Sequence, residues 1–332
     1  MKTALITGIA GQDGVYLGRH LQSLGYRVLG TVRSAVLAEP VLSTYLPDAH
    51  TYEIDIRDSF ALGALIGRER PDEIYNLASW SSVGRSWGDP EAVTAINGLS
   101  VLGLLEQVKK LRDAEGYDPR ICQASSSEMF GLVEELPQTE ASPHHPRSPY
   151  AVSKSFAHHT AVNYRESYDM FVATAILFNH ESPLRPANFV TRKITQAAAA
   201  IALGRQEKLT LGRLDIRRDW GAAADYVVAM HLMLQQPQPD SFNVATGRSH
   251  SLEDFLRTAF AAAGIEDYQA LVTSDQSLFR PADVPETRGD PDKTKRVLGW
   301  QATQTFEAMV ETMVEADSAR LRTGIELSTA YL

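Results

Sequence analysis

The chain has 332 residues, of which 44% are hydrophobic and 22% are charged, and its formal net charge is −9. These values are typical of a well-packed globular protein, and the acidic balance argues against nucleic-acid binding, which needs a basic surface. No apolar run approaches the length of a membrane span, and the N-terminus shows no signal-peptide pattern, so we expect a cytoplasmic protein without a membrane partner. The single cysteine, Cys122, and the scattered histidines predict neither a disulfide nor a metal site.

A β-rich run at residues 2–7 leads into a glycine-rich turn. Gly8, Gly11 and Gly14 follow the spacing Gly-x-x-Gly-x-x-Gly, and a helical period begins at Tyr16. Glycines between a strand and a helix permit a tight turn and a close approach of the backbone to a pyrophosphate, which the helix N-terminus also attracts. The pattern favours a dinucleotide site, and a glycine-rich turn without a ligand is the alternative.

The end of the second predicted strand, residues 26–32, bears on which dinucleotide is bound. Arg33 follows this strand, where many dinucleotide-binding chains carry Asp or Glu. A carboxylate there binds the ribose 2′-hydroxyl of NAD, whereas an Arg accepts the 2′-phosphate of NADP. We therefore expect NADP as the cofactor, with NAD less favoured. Arg33 as an ordinary exposed charge is the remaining interpretation.

Predicted strands and helices then alternate to the middle of the chain. Residues 34–50 contain Pro40 and Pro47 and are predicted to be a loop with room for a short helix. The long helix predicted at residues 90–112 has an apolar stripe at Ile96, Leu99, Leu102 and Leu105. The other elements are predicted at residues 51–54, 60–68, 73–78 and 120–124. This alternation predicts a parallel, doubly wound sheet of the Rossmann type.

Residues at the carboxyl ends of the third and fourth predicted strands are suited to a dinucleotide. In doubly wound sheets, ligands bind outside these strand ends. An acidic and an apolar residue after the third strand would contact the adenine, and a small, polar run ends the fourth strand. The residues concerned are Asp55, Ile56, Leu77, Ala78, Ser79 and Ser81.

The fifth predicted strand delivers a serine-rich turn, Ser125 to Glu128, and a long helix begins at Tyr150 with Lys154 four residues later. This spacing places Tyr150 and Lys154 on one face of the helix. An ammonium beside a phenol favours the phenolate, so we expect the pKa of Tyr150 to fall from about 10 toward neutrality. Such a phenolate can take a proton from a secondary alcohol. A Tyr at the edge of the core beside a solvated Lys would show the same spacing. The choice between a catalytic and a structural pair therefore depends on the other motifs.

The second half is predicted to contain a substrate-facing loop at residues 179–188 and a strand at 241–245 that rejoins the first sheet. His144, His145, His158 and His159 are predicted to be loop and helix-surface residues. Further strands and helices are predicted at residues 150–168, 171–177, 189–203, 222–235, 251–263 and 306–321, the last two with packing roles.

Three segments, residues 6–14, 123–131 and 146–150, resemble the GDP-mannose 4,6-dehydratase family of extended short-chain dehydrogenases/reductases. The likeness extends through residues 163–168, 177–183, 189–194, 218–221, 279–284 and 298–300. It implies an α/β protein with a Rossmann-type doubly wound sheet and a smaller C-terminal α/β substrate lobe. The implied NADP-binding domain is residues 1–177 with about 222–246, and the implied nucleotide-sugar lobe is residues 178–221 and 247–332. A homo-oligomer, dimer or tetramer, is also implied.

The resemblance assigns roles to individual residues. Those implied to bind the cofactor, besides the strand-end residues and glycines above, are Gln12, Asp13, Arg33, Tyr150, Lys154, His180 and Arg185. Those implied to bind the GDP-sugar are Ser126, Asn179, Glu181, Lys193, Arg218 and Arg280, the two arginines gripping the diphosphate. The family usually has Thr where this chain has Ser126, and the related 4-keto-sugar reductases also have Ser there. The family typically has a second Arg and a longer segment after Arg33. NADP preference and a tetramer therefore follow less directly than the fold.

The implied reaction converts GDP-D-mannose, or a close GDP-sugar such as a heptose, to its 4-keto-6-deoxy product with loss of water. Tyr150, assisted by Lys154, takes the proton of the C4 hydroxyl while hydride passes to NADP, and Ser126 hydrogen-bonds that oxygen. Glu128 removes the C5 proton and protonates the departing C6 hydroxyl, and hydride returns to C6. The alternatives are a GDP-4-keto-6-deoxy-sugar reductase or epimerase of the same fold, and a non-catalytic dinucleotide sensor.

Overall fold

Strands and helices alternate through the first half of the chain in a computed structural model that describes residues 1–279 and 282–332. The strands are β1 (Thr3–Thr7), β2 (Arg27–Val32), β3 (His50–Glu53), β4 (Glu73–Asn76), β5 (Arg120–Ser126), β6 (Val172–Leu177), β7 (Asn179–Glu181), β8 (Leu209–Leu211), β9 (Arg217–Ala222), β10 (Ser241–Val244), β11 (Ser249–Ser251) and β12 (Val272–Ser274). The helices are α1 (Gln12–Ser23), α2 (Ala35–Tyr45), α3 (Ser59–Glu69), α4 (Pro90–Thr94), α5 (Ser100–Glu115), α6 (Pro149–Tyr168), α7 (Val190–Ala202), α8 (Ala223–Met233), α9 (Leu252–Ala262), α10 (Asp292–Leu298) and α11 (Phe306–Thr323).

Seven strands form one parallel sheet in the order β10-β6-β5-β4-β1-β2-β3. The predicted α/β fold with a doubly wound parallel sheet is confirmed, and so is the return of the late strand β10 beside β6. All residues of β4 and β6 are buried, as expected for strands covered by helices on both faces. The chain reverses direction across the sheet between β1 and β4, and this switch point opens a crevice at their carboxyl ends.

Three apolar clusters hold the elements together. On one face of the seven-stranded sheet, α1 and α8 pack through residues such as Leu17 and Met230. On the other face, α3, α5 and α6 pack through residues such as Leu104 and Ala161. A third cluster lies away from this sheet, where α7, α9 and α11 pack on β9 through residues such as Phe255.

The first part of the predicted substrate-facing loop is instead a strand. Asn179, His180 and Glu181 form β7, which runs parallel to β9 in a three-stranded sheet completed by β11. Only Phe178 separates β7 from β6, so the chain passes directly from the large sheet into the small one. The pairing with β9 fixes the directions of the Asn179 and Glu181 side chains, which a loop would leave free.

The long predicted helix at residues 90–112 is interrupted by a π-helical turn, Ala95–Leu99, between α4 and α5. The wider turn changes the helical phase, so the predicted apolar stripe is wrong at Leu99, which is 54% exposed, while Val101 and Leu104 are buried. The turn also buries Asn97. The Asn97 side chain accepts a hydrogen bond from the backbone nitrogen of Trp80 at 2.7 Å, and its Nδ2 donates to Ser153 Oγ at 3.2 Å.

The segment after Arg33 is more helical than its prolines predict. Ser34 caps α2 by accepting a hydrogen bond from the backbone nitrogen of Leu37, and Pro40 lies inside the helix. Tyr45 and Leu42 pack into the core and hold the helix in place despite the missing backbone donor. No helix within the described residues is long and apolar enough to cross a membrane.

Candidate active site

A cavity of about 570 Å³ lies in the crevice between the carboxyl ends of β1 and β4. It brings together nearly all the residues that the sequence predicts for the dinucleotide. Those lining it are Gly8, Gly11, Gln12, Asp13, Gly14, Arg33, Asp55, Ile56, Leu77, Ala78, Ser79, Ser81 and Arg185. The other three predicted cofactor residues, Tyr150, Lys154 and His180, line the cavity next to it, which also includes Asp13, Leu77, Ser79, Ser81 and Arg185.

The glycine-rich turn has the shape of a dinucleotide cradle. Gly8 adopts φ +71°, and a Cβ there would lie 2.9 Å from the Ala78 Cα atom. A Cβ on Gly14 would lie 2.5 Å from the carbonyl oxygen of Ile9. These contacts admit only glycine, and they bring the turn to the N-terminus of α1, which has no side-chain cap. The positive end of a helix of twelve residues therefore faces the cavity, as a pyrophosphate requires.

Two further features of this cavity suit a dinucleotide. The Thr31 hydroxyl is buried without a hydrogen-bond partner among the described residues, at the end of β2 where the cavity begins. Arg33 and Arg57 both line the same end of the cavity. Arg57 binds the Asp55 carboxylate, with its Nη2 2.5 Å from Oδ2, and this hydrogen bond holds the pKa of Asp55 below its usual value. The sequence prediction missed Arg57 because it follows the third strand, not the second.

The four predicted catalytic side chains meet in the neighbouring cavity of about 380 Å³. Ser126 ends β5, and its Oγ accepts a hydrogen bond from the backbone nitrogen of Glu128 at 3.3 Å. Glu128 lies in the following 3₁₀ turn, is half-buried and lines the cavity. Tyr150 and Lys154 lie in the first two turns of α6, which Pro149 begins and Ser148 caps through the Ala151 nitrogen.

The pKa of Tyr150 differs from the sequence-based expectation. Burial raises it to about 12, against smaller lowering effects from Ser126 and Arg185. The Lys154 Nζ donates to the Ala124 carbonyl at 3.1 Å and lies 5.9 Å from the centre of the Tyr150 ring. Burial also lowers the pKa of Lys154 to about 8. The predicted fall of the Tyr150 pKa through Lys154 is therefore wrong for this arrangement of the two side chains.

A buried polar network joins the glycine-rich turn to β7. His180 Nε2 lies 2.9 Å from Asp13 Oδ2, and Gln12 Nε2 donates to the His180 carbonyl at 3.2 Å. Ser182 Oγ donates to Gln12 Oε1 at 2.9 Å. The pKa of Asp13 is held at about 2, against the effect of its burial, by the charge of His180 and the hydrogen bond between them.

The predicted substrate residues divide into those at the cavity and those elsewhere. Ser126, Asn179, Glu181 and Arg218 line it. Glu181 is buried, and accepts hydrogen bonds from Arg185 Nε at 2.6 Å and from Thr191 Oγ1 at 2.8 Å, so it holds β7 to the start of α7. Arg218 is buried at the start of β9, and its Nη1 donates to the Val284 carbonyl at 2.8 Å.

One predicted substrate residue, Lys193, does not line the cavity. Lys193 is exposed, and its Nζ donates to the Thr210 carbonyl at 2.8 Å, so its predicted contact with the sugar nucleotide is not supported. The helical step explains this, because Thr191 already occupies the side of α7 that faces the cavity. Arg280 lies outside the described residues.

One histidine prediction is also wrong. His158 was expected on the helix surface, but it is only 5% exposed and lies 3.0 Å from Ser125 Oγ through its Nδ1. His145 and His159 are exposed, as predicted, and His144 is partly buried. Among the described residues, no group of three His, Cys, Asp or Glu side chains is arranged to hold a metal ion.

Comparison with known proteins finds one family that matches nearly the whole chain. The sequence profile of the family described as GDP-mannose 4,6 dehydratase matches residues 5–313. A relative named GDP-mannose 4,6 dehydratase 2, from Arabidopsis thaliana, is 45% identical over 326 residues, which cover 95% of this chain and 87% of the relative.

Two solved structures show the same fold. UDP-glucose 4-epimerase from Thermus thermophilus, in complex with NAD, has a TM-score of 0.84 at 24% identity and covers 97% of this chain and 100% of its own. RMD from Pseudomonas aeruginosa, complexed with NADPH, has a TM-score of 0.80 at 24% identity and covers 96% and 100%. At this level of identity the two structures support the fold and not a particular substrate.

Proposed function

This chain belongs to the GDP-mannose 4,6-dehydratase family, and on that premise we propose how its own residues carry out the reaction. The protein is a hydro-lyase of nucleotide-sugar metabolism that converts GDP-D-mannose to GDP-4-keto-6-deoxy-mannose with loss of water. One observation carries the assignment of residues, which is that Ser126, Glu128, Tyr150 and Lys154 line a single cavity beside the dinucleotide crevice.

The first task of the protein is to move the proton of the C4 hydroxyl. A nicotinamide dinucleotide held by the residues of the first cavity would supply the acceptance and return of a hydride, and its oxidised form would carry a positive charge. Tyr150 is the base, because its ring lies in the cavity next to Ser126. With a pKa of about 12 the free phenol is neutral at pH 7, and positive charge nearby favours the phenolate that accepts the proton.

Ser126 and Lys154 hold this proton transfer in place. Ser126 is 8% exposed at the strand end, and its hydroxyl can donate to the sugar oxygen, which then faces Tyr150. Lys154 fixes the strand through the Ala124 carbonyl and supplies the ammonium of the site. Burial lowers the pKa of Lys154 to about 8, which is close to the pH range in which an amine can exchange a proton.

Glu128 is the residue that makes the reaction an elimination. A ketone at C4 acidifies the C5 proton, and a carboxylate must remove that proton and then protonate the departing C6 hydroxyl. Glu128 is half-buried at the cavity wall, two residues beyond Ser126, so one turn presents both groups to one sugar ring. A plain oxidoreductase needs only the proton exchanged by Tyr150.

For the cofactor we propose NADP in preference to NAD. Arg33 and Arg57 both face the end of β2, where the 2′-phosphate would lie, and Asp55 is already engaged by Arg57. The arrangement offers two guanidinium groups for a phosphate and leaves no unengaged carboxylate among these residues for a 2′-hydroxyl. Arg57 thus supplies the second arginine that the segment after Arg33 lacks.

For the substrate we propose that the GDP-sugar lies in the cavity that residues of β7 and β9 line together. Asn179 on β7 and Arg218 on β9 line the cavity on the side of the predicted nucleotide-sugar lobe, residues 178–221 and 247–332. A guanidinium at Arg218 suits the diphosphate. The predicted division into this lobe and a dinucleotide domain, residues 1–177 with about 222–246, remains part of the proposal.

We also propose a homo-oligomer. Leu99, Val152 and Phe156 expose 54%, 54% and 43% of their surfaces, and they lie on the adjoining π turn and α6. Such an apolar face is typical of a subunit contact. Light scattering of the purified protein tests this, and a monomer at micromolar concentration would contradict it.

The function is tested by incubating the purified protein with NADP and a panel of nucleotide sugars, without added reductant. We expect GDP-mannose to lose the mass of one water molecule with no net formation of NADPH. A reductase or epimerase of the same fold is the rival. A reductase would leave GDP-mannose unchanged and consume NADPH with a keto-sugar, and an epimerase would return a product of unchanged mass.

A further inference from the structure

We propose that His158 is a positioning residue for the catalytic turn, holding the end of β5 in register with α6 through its hydrogen bond to Ser125. This inference rests on the proposed function of Ser126 and Glu128, which follow Ser125 directly in the chain. His158 lines neither cavity, whereas Ser125 lines the second one, so His158 acts on the reaction only through the residues that it contacts.

The geometry shows a repeated connection between one helix face and one strand end. Residues four apart on α6 share a face, and each of three such residues engages one of three consecutive residues of β5. The contacts join Tyr150 to Ser126, Lys154 to Ala124 and His158 to Ser125. Lys154 Nζ lies 3.1 Å from its carbonyl, and His158 Nδ1 lies 3.0 Å from its hydroxyl. His158 is therefore the third connection between this helix face and the end of β5.

Burial makes the contact between His158 and Ser125 specific. The two residues are 5% and 2% exposed, so water cannot replace either partner at little cost. Burial, followed by the charges of His144, His159 and Arg165, lowers the pKa of His158 to about 3, and the ring is neutral at pH 7. A serine hydroxyl both donates and accepts, so it complements either neutral tautomer.

The segment that follows Glu128 returns to α6, where His144 contacts His158. His144 lies in the connection between the catalytic turn and α6, with ring centres 5.3 Å from His158 and 4.7 Å from His159. Its Nδ1 lies 2.9 Å from Ser155 Oγ, and its ring meets the edge of Phe130 at 5.6 Å. We call His144, His158 and His159 the histidine cluster. It contacts the catalytic turn before Ser126, at Ser125, and after Glu128, at Phe130.

The charges around His158 are of one sign. From α6 it faces His159 and Arg165, from the connection before α6 it faces His144, and from β5 it faces the uncharged Ser125. A proton added to the cluster is therefore repelled and is not matched by a carboxylate in this set.

The test compares the wild-type protein with His158→Phe, His158→Asn and Ser125→Ala, using GDP-mannose. The Phe and Ala variants are expected to lose kcat roughly five- to ten-fold, as for one buried hydrogen bond, with KM nearly unchanged. His158→Asn places an amide where Nδ1 lies and is expected to restore most of kcat. His145→Asn, an exposed histidine of the same connection, is the matched control and should match the wild type.

Ser125→Ala keeps the test decisive if His158→Phe does not fold, because it removes one oxygen and leaves the packing intact. Wild-type kcat and pH profile in both Ser125→Ala and His158→Phe would overturn the proposal. So would equal losses in the Asn and Phe variants when both are folded, since the hydrogen bond would then be irrelevant.

A measurement without turnover separates this inference from the proposed function. In protein labelled with ¹⁵N-histidine, the His158 Nδ1 resonance is expected to shift in Ser125→Ala, whatever sugar the protein uses. An unchanged resonance would contradict the contact itself. If the wild type forms no product from GDP-mannose while this shift is seen, the proposed function fails and the contact stands.

Discussion

His180 is hydrogen-bonded through both ring nitrogens, with Nε2 2.9 Å from Asp13 Oδ2 and Nδ1 2.7 Å from the carbonyl oxygen of Phe178. Both partners are acceptors, so the geometry favours an imidazolium that donates twice. Burial opposes this charge, yet the carboxylate of Asp13 raises the pKa of His180 above its usual value. The pair ties the glycine-rich turn of the dinucleotide cavity to the strand β7 of the substrate cavity.

Replacing Asp13 with Asn tests this connection. The variant removes the charge that stabilises the imidazolium, and we expect affinity for the dinucleotide to fall by about ten-fold or more, because the turn loses a charged hydrogen bond. Isothermal titration with NADP measures the change. Asp48→Asn, an exposed aspartate on the same domain, is the control. Equal affinities for the two variants would show that the Asp13–His180 pair does not shape the site.

Gly14 is expected to tolerate no side chain. A Cβ there would lie 2.5 Å from the Ile9 carbonyl oxygen and 2.6 Å from that of Gly8, and both are backbone atoms that cannot turn aside. Gly14→Ala should therefore displace the start of α1, abolish measurable NADP binding and lower Tm. Gly67→Ala, in α3 with 3.4 Å to the nearest atom of Leu111, is the matched control and should raise stability by about 0.5–1 kcal/mol. Normal NADP binding by Gly14→Ala would contradict the cradle.

A buried ion pair joins α7 to α11. Asp317 on α11 receives Arg192 Nε at 2.8 Å and Thr195 Oγ1 at 2.7 Å, and Arg192 also donates to the Arg185 carbonyl beside the cavity. Asp317→Asn leaves a buried guanidinium without its counter-charge, so the free energy of unfolding should fall by about 3–5 kcal/mol. Urea unfolding measures it, with the exposed Glu315→Gln of the same helix as control. A loss below about 1 kcal/mol, the size expected for an exposed ion pair, would contradict this role of the buried pair.

Acid should destabilise the protein through the histidine cluster. Burial lowers the pKa of His158 to about 3 and that of His144 to about 4, whereas both histidines titrate near 6.5 when unfolded. Between these values the unfolded state binds more protons, so stability falls as the pH falls from about 6.5, with a slope of about 1.4 kcal/mol per pH unit for each such histidine. His158→Asn should make urea unfolding less dependent on pH between pH 7 and 5. An unchanged slope would mean that His158 already takes up its proton in the folded state.

Much of the fold and site follows from local patterns. The spacing of Gly8, Gly11 and Gly14 dictates a turn, and the spacing of Tyr150 and Lys154 dictates one helix face, so both could be predicted without knowing what packs against them. The alternation of strands and helices similarly predicted the sheet that brings Ser126 to the same edge as Gly8.

The remainder depends on contacts between distant segments. The pKa of Tyr150 is raised by its burial among distant segments, and the Lys154 Nζ donates to the Ala124 carbonyl. The burial of His158 depends on Ser125, 33 residues earlier. Thr191 and Lys193 lie two residues apart on α7, and Thr191, which donates a hydrogen bond to Glu181, is the one that lines the cavity. Contacts between residues so far apart in the chain leave no periodic pattern in the sequence from which they could be predicted.

The roles of Glu128 and Tyr150 are most directly separated by a single turnover of Glu128→Gln with GDP-mannose and NADP. Tyr150, Ser126 and Lys154 are intact in this variant, so oxidation at C4 should proceed and the absorbance of reduced dinucleotide should rise toward one equivalent per site. Dehydrated product should fall by about a hundred-fold or more, because the proton of C5 has no acceptor. Formation of dehydrated product at the wild-type rate would contradict the assignment of Glu128.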